Sequence, residues 1–565
     1  MQRRRPYTPI ARWPVPAALA VFLVALVAGT WPLGARADKK TVCTITVNSA
    51  DEKEAFRRSL PPDKFQFVEL VERGRPDWLA SACTRKIRCD VLVISGHYDG
   101  GNEFFSEYVE AHEFLPVDEM ERASCSSSCS TLFSQLKEVY LFGCNTLNPE
   151  RQSNTGADIA RNLIASGHSS ADAERLAREL SARYGDSSRD RMRQIFPNVP
   201  VIYGFSSVAP LGPTAAFNLS RYLNSGIGEV GSGRASSRLL GHFRGHSIAV
   251  TAGLSGSDPQ VGYRRDFCQF SGDQLSAAQK VAFVHQILGR DMAEVRVFLD
   301  RIERYTTSLR EDDQQMPSVS QGLDEITHDD RARSRYLEFT RNADPPALRA
   351  RMLKLAHALG WLSPADLRAE LMRAISDSLA RSTVSPADVD LACTLNKDHE
   401  LDDELHRLQL SPAQADKPAH AAVLACLGSA EGYARTLRAL TSSNDDDVHV
   451  AQVYLRHRPI ADVGELRAVM AGVARMTDAK AQARALDTLA GQRIADRQSL
   501  EDLTLLFAQS SSGGVQLAIA GILLRSDYQM IASADLLQVL RQHRRKASSG
   551  EDMIDVLMRR VQALL

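Results

Sequence analysis

Two short runs constrain this chain most. Asp90–Ser95 (DVLVIS) and Val139–Phe142 (VYLF) are apolar at almost every position. A strand with one wet face alternates apolar and polar residues; a strand covered on both faces does not. Thr41–Val47, Lys64–Leu70 and Val199–Phe205 are further β-branched or aromatic runs. Helical patterns fall between and around them, at Asp51–Leu60, Asp77–Lys86, Cys129–Leu136, Gly156–Ser166, Ala171–Tyr184 and Thr214–Leu223. Strands alternating with helices predict an α/β fold: a mostly parallel sheet flanked by helices on both faces.

The pattern changes after about residue 270. Ala277–Tyr305 reads as a long helical stretch, and Thr306–Asp330, polar and carrying Pro317 and Gly322, reads as a linker or exposed connection. From about residue 344 to Leu565 no strand signal occurs, and Ala, Leu and Arg dominate. Val450–Met476, Ala483–Gln509 and Val515–Gln542 each read as helix, turn, helix. Leu455, Leu489 and Leu524 recur at steps of 34 and 35, and Leu466 and Leu500 at 34. This period suits stacked helix pairs, each unable to bury its apolar face alone, and it resembles HEAT-like repeats without a sharp consensus. An irregular helical domain is the alternative. The expected division is 1–37, 38–270, 271–343 (helix and linker) and 344–565, the last an all-α helical-repeat solenoid.

The N-terminus bears on the compartment. Arg3, Arg4, Arg5 and Arg12 precede an uncharged stretch, Trp13–Ala35, and Ala35-Arg36-Ala37 fits a signal-peptidase site. Cleavage there leaves Asp38 first and sends the protein to the periplasm or the medium. An uncleaved segment would anchor it instead, the one route by which a membrane becomes a partner. Hydrophobic residues at 44% and charged residues at 24% exclude wholesale disorder. The net charge is −1, and removing 1–37 with its five Arg leaves 63 basic and 69 acidic groups, a net −6. No basic footprint for nucleic acid is present.

Export makes disulfides expected, and nine cysteines are an odd number. Short loops suggest Cys83 with Cys89 and Cys125 with Cys129. Cys393 and Cys426 form the helical half's own pair, and Cys43 and Cys268 remain. Connectivity stays open from sequence.

Ligands of open α/β sheets sit at the carboxyl ends of the strands. Ile94-Ser95-Gly96-His97-Tyr98-Asp99-Gly100 and Leu141-Phe142-Gly143-Cys144-Asn145-Thr146 both leave apolar strands through a glycine. If those strands are parallel neighbours, His97 and Cys144 meet on one rim. A thiolate is a nucleophile, and a nearby His can take its proton and later protonate a leaving amine. The backbone N–H groups of Gly96 and Cys144 are candidate oxyanion donors. Cys144 is therefore the cysteine expected to stay unpaired.

These motifs resemble the core of the caspase-like cysteine peptidases, the group of caspases, metacaspases, legumain, gingipains, separase and CHAT domains. His97 and Cys144 are 47 residues apart, close to the ~50 of caspases. Phe114–Met120 (FLPVDEM) is similar to the hairpin-then-helix passage between the two motifs in CHAT-type members. Two departures are Tyr98, where the common residue after His is Gly, and Asn145-Thr146 after Cys144. The resemblance covers roughly Thr41–Asn224 and implies a cysteine endopeptidase acting on protein or peptide with a Cys144–His97 dyad. It also implies a charged pocket, for which Asp99 and Glu103 are the candidate acids and Tyr203 and Ser206 candidate wall residues. No cofactor is expected. Glu107, Glu110, His112 and Glu113 match no standard calcium loop, so no metal is expected either. The helical half would bind a partner or the substrate. The alternative is a scaffold with a silent caspase-like domain.

Overall fold

The computed structural model describes residues 39–70, 79–106, 113–151, 155–165, 167–343, 346–381, 383–408, 410–492, 494–545 and 552–565. Residues 1–37, expected to be an export signal, and Glu107, Glu110 and His112 lie outside the described residues.

Nine strands occur among the described residues: β1 (Lys40–Thr46), β2 (Phe65–Glu69), β3 (Val91–Ser95), β4 (His97–Tyr98), β5 (Glu103–Phe105), β6 (Phe114–Pro116), β7 (Glu138–Phe142), β8 (Val201–Phe205) and β9 (Ile248–Thr251). Six form one sheet in the order β2-β1-β3-β7-β8-β9, parallel throughout except at β9. β4, β5 and β6 make a small antiparallel sheet beside it. The twelve helices before the helical half proper are α1 (Asp51–Ser59), α2 (Ala80–Thr84), α3 (Val117–Cys125), α4 (Ser130–Phe133), α5 (Thr155–Ala165), α6 (Ser170–Tyr184), α7 (Ser188–Ile195), α8 (Gly212–Gly226), α9 (Ser237–His242), α10 (Val261–Ser271), α11 (Ala277–Leu288) and α12 (Met292–Ser308).

The two apolar runs are the central strands β3 and β7, and every residue of both is buried. Their side chains divide by the two-residue period of a strand. Val91, Val93, Tyr140 and Phe142 face α1, α8 and α9; Leu92, Ile94, Val139 and Leu141 face α2, α3, α4 and α7. The register aligns Thr46 with Ser95 and Ser95 with Phe142, so β1, β3 and β7 end level with one another. That alignment puts Gly96-His97 and Gly143-Cys144 side by side.

After Thr251 the described residues are helical or irregular. The stretch 277–305 is two helices, because Gly289 ends α11 and the Asp291 side chain caps α12. The polar stretch 306–330 is not a linker. It contains the helix Pro317–Thr327, which starts on a proline at its first turn and buries Val319 and Ile326. Further on, Asp445–His457 packs on Ala479–Leu489, which packs on Gly513–Arg525, which packs on Met553–Gln562. A second layer runs Val463–Ala474, Arg497–Gln509, Ala534–His543. The helix caps repeat as well. Asn444, Asp478 and Ser512 cap the first layer, and Asp462 and Asp496 the second, each 34 positions from the last. Among the described residues no helix is long and apolar enough to cross a membrane.

Eight cysteines pair: Cys43–Cys89, Cys83–Cys129, Cys125–Cys268 and Cys393–Cys426. Of the expected pairs only the last, the helical half's own, forms; the short-loop pairs Cys83–Cys89 and Cys125–Cys129 do not. Cys89 enters β3 beside Cys43 on the neighbouring β1, and Cys83 at the end of α2 faces Cys129 before α4. Cys125, ending α3, meets Cys268 on α10. Such bonds suit an oxidising compartment. Cys144 alone is free.

Candidate active site

Four connections at the carboxyl ends of the parallel strands enclose one cleft of about 60 Å³. The β1–α1 loop and α1 supply Asn48, Ser49 and Glu52; the β3–β4 junction supplies Gly96 and His97. The end of β7 supplies Phe142, Gly143 and Cys144, and the β8–α8 loop supplies residues 209–212. His97 and Cys144 thus share the cleft, both half-buried. Larger cavities of about 380 and 630 Å³ lie elsewhere, but neither is lined by a histidine or the free thiol.

Local geometry explains the sequence around Cys144. A Cβ on Gly143 would stand 2.9 Å from the Gly96 carbonyl oxygen and 3.0 Å from Tyr98 Cβ, so only glycine lets the two strand ends approach this closely. Asn145 then takes a left-handed conformation (φ 59°), which Asn tolerates better than most residues. The buried Thr146 hydroxyl donates to the Gly143 carbonyl at 3.1 Å and accepts from the Phe205 N–H at 3.1 Å. Asn145 N–H donates to Ser207 O at 2.7 Å, and Leu147 N–H to Phe205 O at 2.9 Å. The loop after β7 is therefore pinned to the end of β8. From the opposite wall, the Ala209 N–H donates to Cys144 Sγ at 3.3 Å. His97 is held by the small sheet, opposite Phe105, with ring centroids 5.5 Å apart.

Other expected site residues fall differently. The Gly96 N–H donates to Phe142 O at 3.0 Å, continuing the β3–β7 ladder, and so is not a free oxyanion donor. Among the described residues the Cys144 N–H donates to no acceptor. Asp99 does not line the cleft. Its Oδ1 accepts from the N–H groups of Gly101 (2.9 Å), Asn102 (2.8 Å) and Glu103 (3.1 Å), closing the β4–β5 turn. Glu103 sits across from Pro116 in the small sheet, also outside the cleft. The Tyr203 ring is buried between the sheet and α8, and its hydroxyl accepts from Ser236 N–H at 2.7 Å. Ser206 Oγ donates to Ser247 O at 3.2 Å and does not reach the cleft.

One cleft group escapes a reading by motif. Glu52, in the first turn of α1, is 4% exposed, and its Oε2 has no hydrogen-bond partner. Burial pushes its carboxyl up to about 7, against the opposing pull of its own N–H and the Ser95 and Ser49 hydroxyls. A signal existed: the β1–α1 loop leaves a parallel strand at the same rim as the other two motifs. Among the described residues no group of three His, Cys, Asp or Glu side chains is placed to hold a metal ion.

The fold and cleft define an α/β domain with a free thiol and an imidazole at the carboxyl ends of adjacent parallel strands, followed by a helical array. No family model matches the chain, and no curated protein or solved structure matches it either.

Proposed function

We propose that the chain is an exported, caspase-like cysteine endopeptidase whose HEAT-like helical half binds substrate or a partner. One observation carries this reading: the single unpaired cysteine of nine lines the same cleft as His97. In an oxidising compartment a free thiol is the exception. Its seat is also where open α/β sheets act. His97 takes the proton of Cys144 as Sγ attacks the substrate carbonyl, and then gives that proton to the departing amine. Water next attacks the thioester and releases the acid. The Cys144 N–H is the donor available to the developing oxyanion.

A second reading, a silent scaffold, is favoured by the bond from Gly96 N–H to Phe142 O, which removes one of the two expected donors. A missing donor costs roughly 3–4 kcal/mol of transition-state stabilisation. A thiol-reactive peptidyl probe separates the readings. Labelling that requires both Cys144 and His97, with peptide cleavage lost in Cys144→Ala, supports the peptidase. Equal cleavage by wild type and Cys144→Ala overturns it.

A further inference from the structure

Among the described residues the ionisable groups lining the cleft are Glu52, His97 and Cys144, and no described lysine or arginine lines it. Glu52 is almost wholly buried and one of its oxygens meets no donor. A buried acceptor left without a donor is destabilising, the more so if it is charged. Such a group calls for an explanation, and a ligand that supplies the missing donor is one.

The surroundings favour a cation as that ligand. Asp51, the neighbour on the helix, adds a second negative field at Glu52. On one wall of the cleft α1's loop meets the start of α8 closely: a Cβ on Gly212 would overlap Ser49 Oγ and come 2.7 Å from Asp51 Oδ2. At about 60 Å³ the space suits the end of one side chain, not a second chain segment. The acids that the motif after His97 offered, Asp99 and Glu103, are outside it.

We propose that Glu52 selects the substrate, receiving the ammonium of a lysine or the guanidinium of an arginine at the residue before the cleaved bond. This rests on the peptidase reading of Cys144. Burial by itself favours the neutral carboxyl. A cation in the cleft reverses that balance and forms a charge-assisted hydrogen bond to the waiting oxygen.

Two measurements on the full chain test it. The first needs no catalysis. Cys144 is the only free thiol, so its alkylation by iodoacetamide reports what occupies the cleft. Agmatine, a small guanidinium cation, slows alkylation of the wild type and has no effect on Glu52→Gln, while the uncharged n-butanol protects neither. Equal protection of both proteins, or none in the wild type, overturns the proposal. The second is cleavage of peptides that differ only at the residue before the bond. Lys and Arg peptides exceed Asp, Asn and Leu peptides at least about 100-fold, and Glu52→Gln reduces that margin below about 10-fold while Glu52→Asp keeps part of it. A wild-type preference for an acidic or neutral residue also overturns the proposal. Absence of all cleavage by folded wild type sinks the peptidase reading itself, and the alkylation result then still decides whether Glu52 holds a cation. Melting curves of the variants guard against misfolding.

Discussion

Arg301 on α12 grips Glu121 on α3 with two hydrogen bonds, Nη1 to Oε2 at 2.8 Å and Nη2 to Oε1 at 3.1 Å, across 180 positions of chain. Both side chains are buried, the Arg301 guanidinium lies 4.5 Å from the Phe267 ring centroid, and Arg191 adds a third contact to Glu121. The pair joins α3, which covers one face of the sheet, to α12, the last of the helices before the helical half. Burial alone would raise the Glu121 carboxyl; the guanidinium groups of Arg301 and Arg191 outweigh it and hold it down to about 2. Removing one partner strands the other charge in the interior. Glu121→Ala is therefore expected to destabilise the fold by about 3–5 kcal/mol in urea titrations. The Glu121→Leu, Arg301→Met double variant should recover most of that loss. The folded value lies below the unfolded one, so this contribution is complete above about pH 5 and fades as pH falls toward about 2. A wild type whose stability advantage over Glu121→Ala is unchanged at about pH 3 contradicts this assignment.

The disulfide pattern makes a sharp chemical forecast. Non-reducing peptide mapping should recover Cys43 with Cys89, Cys83 with Cys129, Cys125 with Cys268 and Cys393 with Cys426, and only Cys144 should take up an alkylating agent. Cys125–Cys268 closes the longest loop, a separation of 143. Its removal by paired Ala substitutions should cost up to about 5 kcal/mol in the chain-entropy account. Cys144 found in a stable disulfide would remove the main support for a nucleophile there.

What the sequence disclosed, and what it hid, follows from which signals are local. β3 and β7 were legible because a strand buried on both faces has no polar alternation to confuse with a helix face. His97 and Cys144 were legible because a glycine and a reactive side chain after such a strand fall on a known rim. Three of the four disulfides were not, because Cys43, for example, meets Cys89 only once β1 is known to lie beside β3; Cys393–Cys426 was, as the only two cysteines of the helical half. The helix Pro317–Thr327 was masked by its polarity, since only Val319 and Ile326 bury. Glu52 was hidden for the opposite reason: beside Asp51 and Glu54 it reads as an ordinary acidic first turn. The spacing of 34 showed weakly in leucines. It is clearer in the caps Asn444, Asp478 and Ser512, polar positions that a search for apolar periodicity passes over.

Glu52 should make the protein less stable as the solution turns from acid to neutral. Its folded carboxyl holds its proton up to about 7, whereas in the unfolded chain it ionises near the ordinary glutamate value of 4.5. Between those values the native state binds the extra proton, so stability falls with rising pH and levels off above about pH 7. The difference amounts to at most about 3 kcal/mol. Glu52→Gln has no proton to lose, so its melting temperature relative to wild type should climb between about pH 5 and pH 8. A constant offset over that range would show that the carboxyl is ionised in the folded cleft.

Gln516 should prove one of the costliest polar positions of the helical half. It is fully buried. Its Nε2 donates to Phe507 O at 3.0 Å and His543 O at 2.8 Å, and its Oε1 accepts from Arg545 N–H at 2.8 Å. It therefore satisfies carbonyls at the ends of two helices, where no intrahelical partner exists. Gln482, 34 positions earlier, makes the matching bond to Val473 O at 2.9 Å, so the contact belongs to the repeat and not to one loop. Gln516→Leu keeps the volume but leaves those backbone groups without partners, each worth roughly 1–3 kcal/mol when buried. The expected loss is about 2–4 kcal/mol in urea titration, with hydrogen exchange accelerated first in 497–545 and the sheet unaffected. A loss under about 0.5 kcal/mol, within the range of a surface substitution, would mean that the helix ends are hydrated and that these glutamines do not hold the layers together.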